Sequence, residues 1–191
     1  MSPAETLKRL LAERSVKRGE FILASGKSSS LYIDARLTTM SPEGMVLIGS
    51  LGLERIAKAA WVPDAVGGLT LGADPVAYAI SHESASQPKP IRAFTVRKDA
   101  KAHGTGKRIE GPFARGDRVV IVEDVITTGQ SALQAIEAVE AAGGQVVGVL
   151  SVVDREDGGC DVIRSRGYDV IALTTLTELT SSADSPVSDA S

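Results

Sequence analysis

Cysteine and tryptophan each occur once in these 191 residues, histidine twice, and aromatic residues make up only 4% of the chain. The single Cys160 excludes an internal disulfide framework and fits a reducing compartment, the cytoplasm. It is also a poor nucleophile, because the nearby acids Asp157 and Asp161 raise a thiol pKa. His82 and His103 stand far apart, so no cluster has zinc-ligand spacing. No apolar run approaches the ~18 residues of a membrane span, and the N-terminus shows no apolar signal-peptide core. Several phosphate and acyl-transfer fingerprints are missing too: G-x-G-x-x-G after the first core strand, G-x-x-x-x-G-K-[ST], and the G-x-S-x-G elbow. A net charge of −3 argues against general affinity for nucleic acid. With 43% apolar and 24% charged residues the composition is otherwise ordinary, and the length suits one domain, expected over residues 1–180.

What the chain does have is concentrated between Val119 and Ala132. Val119, Val120, Ile121 and Val122 form an apolar run that reads as a strand buried on both faces. Glu123 and Asp124 follow at its expected C-terminal end. Next come a turn containing Thr127, Thr128, Gly129 and Ser131 and a helical pattern through Leu133, Ile136, Ala138 and Val139. Ligands of open α/β sheets sit at the carboxyl ends of the strands. A helix start offers a phosphate unpaired N–H groups and the positive end of the dipole. Acids beside a hydroxyl-rich cradle suggest a ligand with both sugar hydroxyls and a phosphate.

Around this stretch the pattern alternates strands and helices. Ser2 caps and Pro3 opens a helix to Arg14, with Leu7, Leu10 and Leu11 on one face. Gly19 to Ala24 and Leu31 to Leu37 read as strands joined by a polar turn, 25–30. That pair is either an exposed hairpin or a hood over a ligand, with Lys27 and Arg36 available to anions. Ser41 and Pro42 open a helix to about Ala60. Ala65 to Leu69 reads as a buried strand, followed by a glycine-containing loop and a helix from Val76 to Ser84. Such a loop is either a plain turn or a second anion contact. Ile91–Val96, Ile109–Pro112, Gln145–Val153 and Tyr168–Leu173 read as further strands, and the helix after the cradle ends at Gly143. A short helical turn carries Leu176 and Leu179, and residues 181–191 are expected to be a disordered tail. The expected fold is α/β: a Rossmann-like, mainly parallel sheet flanked by helices.

Charge is unevenly placed. Five of the 12 residues from Arg97 to Arg108 are basic and one is acidic. This glycine-containing loop is either solvated surface or a lid whose cations neutralise a polyanion. Arg155, just beyond the strand ending at Val153, either forms a rim ion pair with Asp154 or Glu156 or faces the same rim as the carboxylates.

The stretch from Val119 to Gly129 resembles the PRPP-binding motif of the type I phosphoribosyltransferases (PRPP is 5-phosphoribosyl 1-diphosphate). Phe21 to Asp34 resembles the N-terminal hood of the orotate branch of that family. Arg97-Lys98-Asp99-Ala100-Lys101-Ala102-His103-Gly104 matches its loop pattern, R-K-x-x-K-x-H-G. The motifs occur in the expected order, and the likeness runs from about Thr6 to Leu179. It implies the type I phosphoribosyltransferase fold with a small hood formed mainly by residues 1–40 and a C-terminal strand region. It implies transfer of ribose 5-phosphate from PRPP to N1 of orotate in pyrimidine biosynthesis, with Mg²⁺ bound mainly through PRPP and no certain direct protein ligand. It also implies a homodimer whose loop reaches into the neighbouring site.

By the same resemblance, Lys101, His103, Glu123 and Asp124 are catalytic. PRPP is held by Arg97, Lys98, Lys101, His103, Glu123, Asp124, Val125, Ile126, Thr127, Thr128, Gly129, Gln130 and Ser131. Orotate is held by Thr127, Arg155 and Lys27. The chain departs from some relatives at Ala24, where they carry lysine, and at Leu71-Gly72, where they carry Tyr-Lys. It also has Glu123 where Asp is more familiar. A purine or uracil enzyme would use a different hood and would not need this loop or Arg155. A non-catalytic, nucleic-acid-binding relative should show a broad basic face, whereas here the basic excess is gathered in one loop.

Overall fold

The computed structural model describes residues 1–22, 28–98 and 108–183. Lys27, Lys101, His103 and residues 184–191 of the C-terminal tail lie outside them. Helix α1 (Pro3–Arg14) begins on a reciprocal cap: the Ser2 hydroxyl accepts from Glu5 N–H, and the Glu5 carboxylate accepts from Ser2 N–H at 2.7 Å. Strands β1 (Val16–Ile22) and β2 (Ser28–Ile33) form an antiparallel hairpin.

The strand expected through Leu37 stops at Ile33. The Asp34 carboxylate accepts from the Arg36 N–H at 3.3 Å and from its Nε at 2.8 Å, which folds the chain into a short helix, α2 (Arg36–Thr39). Thr38 is buried there, with its hydroxyl on Ser15 Oγ and the Leu10 carbonyl. Helix α3 (Pro42–Lys58) starts at the expected cap, Ser41. Strand β3 (Ala65–Leu69) leads to α4 (Ala73–Glu83). This helix starts three residues earlier than the apolar pattern suggests, because Pro75 falls in the first turn, where its missing N–H removes no helical hydrogen bond.

Then follow β4 (Arg92–Val96), β5 (Ile109–Glu110), β6 (Arg118–Ile126), α5 (Gln130–Ala141), β7 (Gln145–Asp154), α6 (Gly159–Ser165), β8 (Val170–Thr175) and α7 (Leu176–Ala183). Helix α6 was not foreseen from the sequence, and α7 continues over Ser181–Ala183, which the composition assigned to the tail. In the main sheet the described strands run in the order β5-β4-β3-β6-β7-β8, and only the β4–β5 pair is antiparallel.

Alternation along β6 divides the core between the two faces. Val120 and Val122 pack with Leu7, Ile48, Trp61 and Ile80 from α1, α3, the following turn and α4. Val119 and Ile121 pack with Leu133, Ile136, Val139 and Ile163 from α5 and α6. The chain leaves β3 toward β4 on one side and later returns to β6 on the other. The topological switch point therefore lies between the carboxyl ends of β3 and β6, the place where open α/β sheets hold their ligands.

Leu150, fully buried on β7, belongs to the face that also holds Trp61. Leu150→Ala is expected to lower the unfolding free energy by about 2–5 kcal/mol. Urea titration followed by the emission of Trp61, the only tryptophan, measures this, and a loss below about 1 kcal/mol would contradict the packing described.

Candidate active site

The switch point opens into a cleft of about 500 Å³. Its floor is Glu123, Asp124 and Val125 from the end of β6, and one wall is the loop Leu69 to Gly72. Thr127, Thr128 and Ser131 close another side. Tyr32, Asp34 and Arg36 reach over from the hood and α2, and Lys98 and Arg155 complete the lining. A smaller recess of about 70 Å³ adjoins it, bounded by Glu123, Val125, Ile126, Thr127, Thr128, Gly129, Gln130 and Ser131. The sequence placed the acids beyond the end of the strand. They lie inside it: β6 continues to Ile126, and Glu123 is in register with Ser151 of β7. Since neighbouring strand residues face opposite sides, Glu123 points toward the α5 face and Asp124 toward the α4 face.

Glu123 is buried and Asp124 half-buried. Glu123 is 5% exposed, and its Oε1 has no hydrogen-bond partner among the described residues. Burial raises its pKa well above the ordinary range, and the neighbouring charge of Asp124 adds to this. Burial also raises Asp124, against the pull of its hydrogen bond from Val125 N–H at 2.8 Å. An unpartnered carboxylate oxygen at the floor of an open cleft is a strong acceptor waiting for a donor.

The recess is shaped by Gly129. Its φ of +77° suits glycine, and a side chain there would meet the Gly159 carbonyl at 2.8 Å. This turn sets the first N–H groups of α5 around the recess, beside the Thr127, Thr128 and Ser131 side chains. The loop Leu69–Gly72 approaches from the opposite side so closely that a side chain at position 72 would collide with the Asp124 carboxylate. Asp74 does not serve the cleft. It accepts from Thr70 Oγ1 at 2.7 Å and from Thr95 Oγ1 at 2.8 Å, which pins the loop to β4.

Arg155 reaches the cleft, and the pair expected with Asp154 or Glu156 is replaced by one with Asp157. The arginine is 6% exposed. Its Nε donates to Asp157 at 2.8 Å, and Nη2 donates to Ser29 Oγ at 3.1 Å and the Leu31 carbonyl at 3.0 Å. The other acids are engaged elsewhere: Asp154 accepts from Glu156 N–H at 2.8 Å and Glu156 from Thr177 N–H at 2.7 Å. Arg97 sits apart from the main cleft, in an adjoining hollow with Thr70, Thr95, Lys98 and Glu110, and lies 3.8 Å from the Glu110 carboxylate.

Tyr32, Asp34 and the partners of Arg155 were missed as site residues. Their signal was present only as the alternating hood strand and the Asp34–Arg36 spacing. Arg36 grips Asp34 through Nε and Nη2, which lowers the Asp34 pKa. Cys160 is buried and its thiol is pushed up to about 12, mainly by burial, in keeping with an inert role. Among the described residues, no three His, Cys, Asp or Glu side chains form a metal-holding group. The paired acids in an open cleft suit a hydrated divalent ion brought in on a phosphorylated ligand, since such an ion needs only one or two carboxylates.

A carboxylate whose pKa is higher in the folded chain than in the unfolded chain binds its proton more readily when folded. Its contribution to stability is full below the unfolded pKa and is lost as pH rises through the raised value. Glu123→Gln removes that loss. The melting temperature of the variant relative to the parent is expected to be higher at about pH 8 than at about pH 5, by at least about 2 °C. Thermal melts of the ligand-free proteins at both pH values check this, and a pH-independent difference would count against the buried charge.

Comparison with known proteins agrees with this geometry. The phosphoribosyl transferase domain model matches residues 41–177. An orotate phosphoribosyltransferase of Aquifex aeolicus is 46% identical over 182 residues, covering 94% of this chain and 98% of that protein. One from Corynebacterium glutamicum (strain R) is 49% identical over 173 residues, 91% of each. The crystal structure of Mycobacterium tuberculosis H37Rv orotate phosphoribosyltransferase in complex with PRPP superposes with a TM-score of 0.79 at 41% identity, over 94% of this chain and 99% of that one. A chain that shares nearly half its residues with these proteins along almost their whole length belongs to the orotate phosphoribosyltransferase family.

Proposed function

We propose that this chain transfers the ribose 5-phosphate of PRPP to N1 of orotate, giving orotidine 5′-monophosphate and pyrophosphate on the route to pyrimidine nucleotides. The observation that carries this is the convergence at one switch point of an acid pair with Glu123 buried, a phosphate-sized recess at a helix start and a buried arginine. The names of its relatives support the same reaction. The lone buried cysteine suits a cytoplasmic setting.

Each part has a task. The 5′-phosphate enters the recess, where it accepts from N–H groups between Ile126 and Ser131 and from the hydroxyls of Thr127, Thr128 and Ser131, while Val125 N–H stays on Asp124. The ribose 2′- and 3′-hydroxyls donate to Glu123 and Asp124, which gives the unpartnered Glu123 Oε1 a donor. Leaving-group departure makes C1′ oxocarbenium-like, as in glycoside cleavage. Orotate N1 attacks as an anion, so the protein's contribution is mainly position and charge. Mg²⁺ would be held mainly through PRPP, with no certain direct ligand from the protein, and would supply charge neutralisation to the leaving group. Pyrophosphate lies along the loop Leu69–Gly72, which offers backbone groups only, since Asp74 is engaged by Thr70 and Thr95. Arg97 and Lys98 supply nearby cations. Lys101 and His103, carried by the partner protomer of a homodimer, stabilise the leaving group. Arg155 takes the orotate carboxylate, Thr127 touches the base, and Lys27 assists from the hood.

Product formation with Mg²⁺ and PRPP tests the substrate, with orotate, adenine, hypoxanthine and uracil supplied in turn. Orotate alone is expected to be consumed rapidly, and turnover of another base instead would overturn the proposal. Lys101→Ala is expected to lower kcat about 10²-fold or more while PRPP affinity, read by calorimetry, changes less than about tenfold. Unchanged turnover would remove Lys101 from the mechanism.

A further inference from the structure

We propose that Asp157 is a positioning residue for Arg155 and thereby sets how tightly the enzyme holds orotate. The proposal rests on the reading that Arg155 takes the orotate carboxylate. A guanidinium has five N–H donors in a fixed fork. In this structure Nε donates to Asp157, and Nη2 donates to the hairpin, where Ser29 Oγ and the Leu31 carbonyl both lie within reach. Among the described residues nothing accepts from Nη1. The group is therefore held in place: Asp157 takes Nε, β2 takes Nη2, and Nη1 is left for a ligand in the cleft that Arg155 lines.

The backbone makes Asp157 the partner. The main chain of Arg155 is tied to β6 by its N–H on the Ile126 carbonyl at 3.0 Å. Glu156 then has a φ of +63°, a reversal held by its N–H on Asp154 and its carboxylate on Thr177 N–H. That reversal brings Asp157 back alongside the Arg155 side chain. Asp157 is itself 44% exposed, whereas the Arg155 side chain is 7% exposed. The buried cation is thus oriented by a carboxylate at the solvent edge. An incoming carboxylate meets a guanidinium already half neutralised and rotationally fixed, so orientation supplies what net charge does not.

The role separates from charge and from folding by choice of variant. Asp157→Ala removes the acceptor and frees the guanidinium to turn. It is expected to raise the KM for orotate about tenfold, the loss of one hydrogen bond to a charged group, with kcat and the KM for PRPP within about twofold. Asp157→Asn keeps an oxygen acceptor and removes the charge, so it is expected to hold the KM for orotate within about threefold of the parent. An unchanged orotate KM in Asp157→Ala, an equal rise in the PRPP KM, or an Asp157→Asn as impaired as Asp157→Ala would each overturn the proposal. Arg155→Ala, measured alongside, distinguishes the layers. If it leaves the orotate KM unchanged, the underlying assignment of Arg155 fails. If it raises that KM while Asp157→Ala does not, only the positioning role fails.

Discussion

The site depends on burying two adjacent carboxylates at the end of the central strand. Glu123 and Asp124 occupy positions that the sheet register would otherwise fill with Val or Ile, and on β6 they follow directly on Val119 to Val122. Removing their charges from water is unfavourable, and the raised pKa of each expresses this. Everything around them limits that penalty without abolishing it. Val125 N–H bonds Asp124, and the Asp34–Arg36 pair brings a cation to the rim. Glu123 keeps an orphan oxygen. A floor left unsatisfied in the free protein makes its best interactions only when hydroxyl donors arrive, which is how binding selectivity for a sugar can be built into a fold.

The fold around this floor is arranged to keep it rigid and open. Gly129 turns the chain sharply enough for α5 to start beside Glu123, and Gly72 lets the β3–α4 loop pass against Asp124. Asp74 then locks that loop to β4 through Thr70 and Thr95. Side chains that could have been ligands are spent as braces, so the loop presents its backbone. The same economy governs the rim beyond β7, where Asp154, Glu156 and Asp157 each have a separate structural partner.

Much of this was legible in the sequence, for identifiable reasons. Strand β3 and helices α1 and α3 were marked by caps, prolines and apolar periodicity, all local signals. The cradle was legible because a Thr-Thr-Gly turn between a buried strand and a helix has few other meanings. Helix α2 was hidden because Leu31 to Leu37 alternates like a strand, while an Asp34 side chain ends it. Helix α6 was hidden by its shortness: Cys160 and Ile163 are its only buried apolar contacts beyond Gly159. Three acids lie within two residues of Arg155, and only the backbone reversal at Glu156 decides among them. Such pairings depend on tertiary structure and leave no periodic trace.

The contrast between the acids and the arginine bears on how the cleft discriminates. Glu123 is poorly satisfied before a ligand arrives and gains most from one. Arg155 is already bonded on two sides and gains less. Affinity should therefore come mainly from the ribose phosphate, and the base end should contribute selection by geometry. A fully unpaired arginine in the same place would attract any anion that reached the cleft, including a second phosphate. One that is pinned by Asp157 and by β2 offers a carboxylate only its remaining Nη1 donors, in a plane already fixed. Because two of its bonds are to β2, that selectivity is set jointly by the loop after β7 that bears Arg155 and the hairpin that covers it.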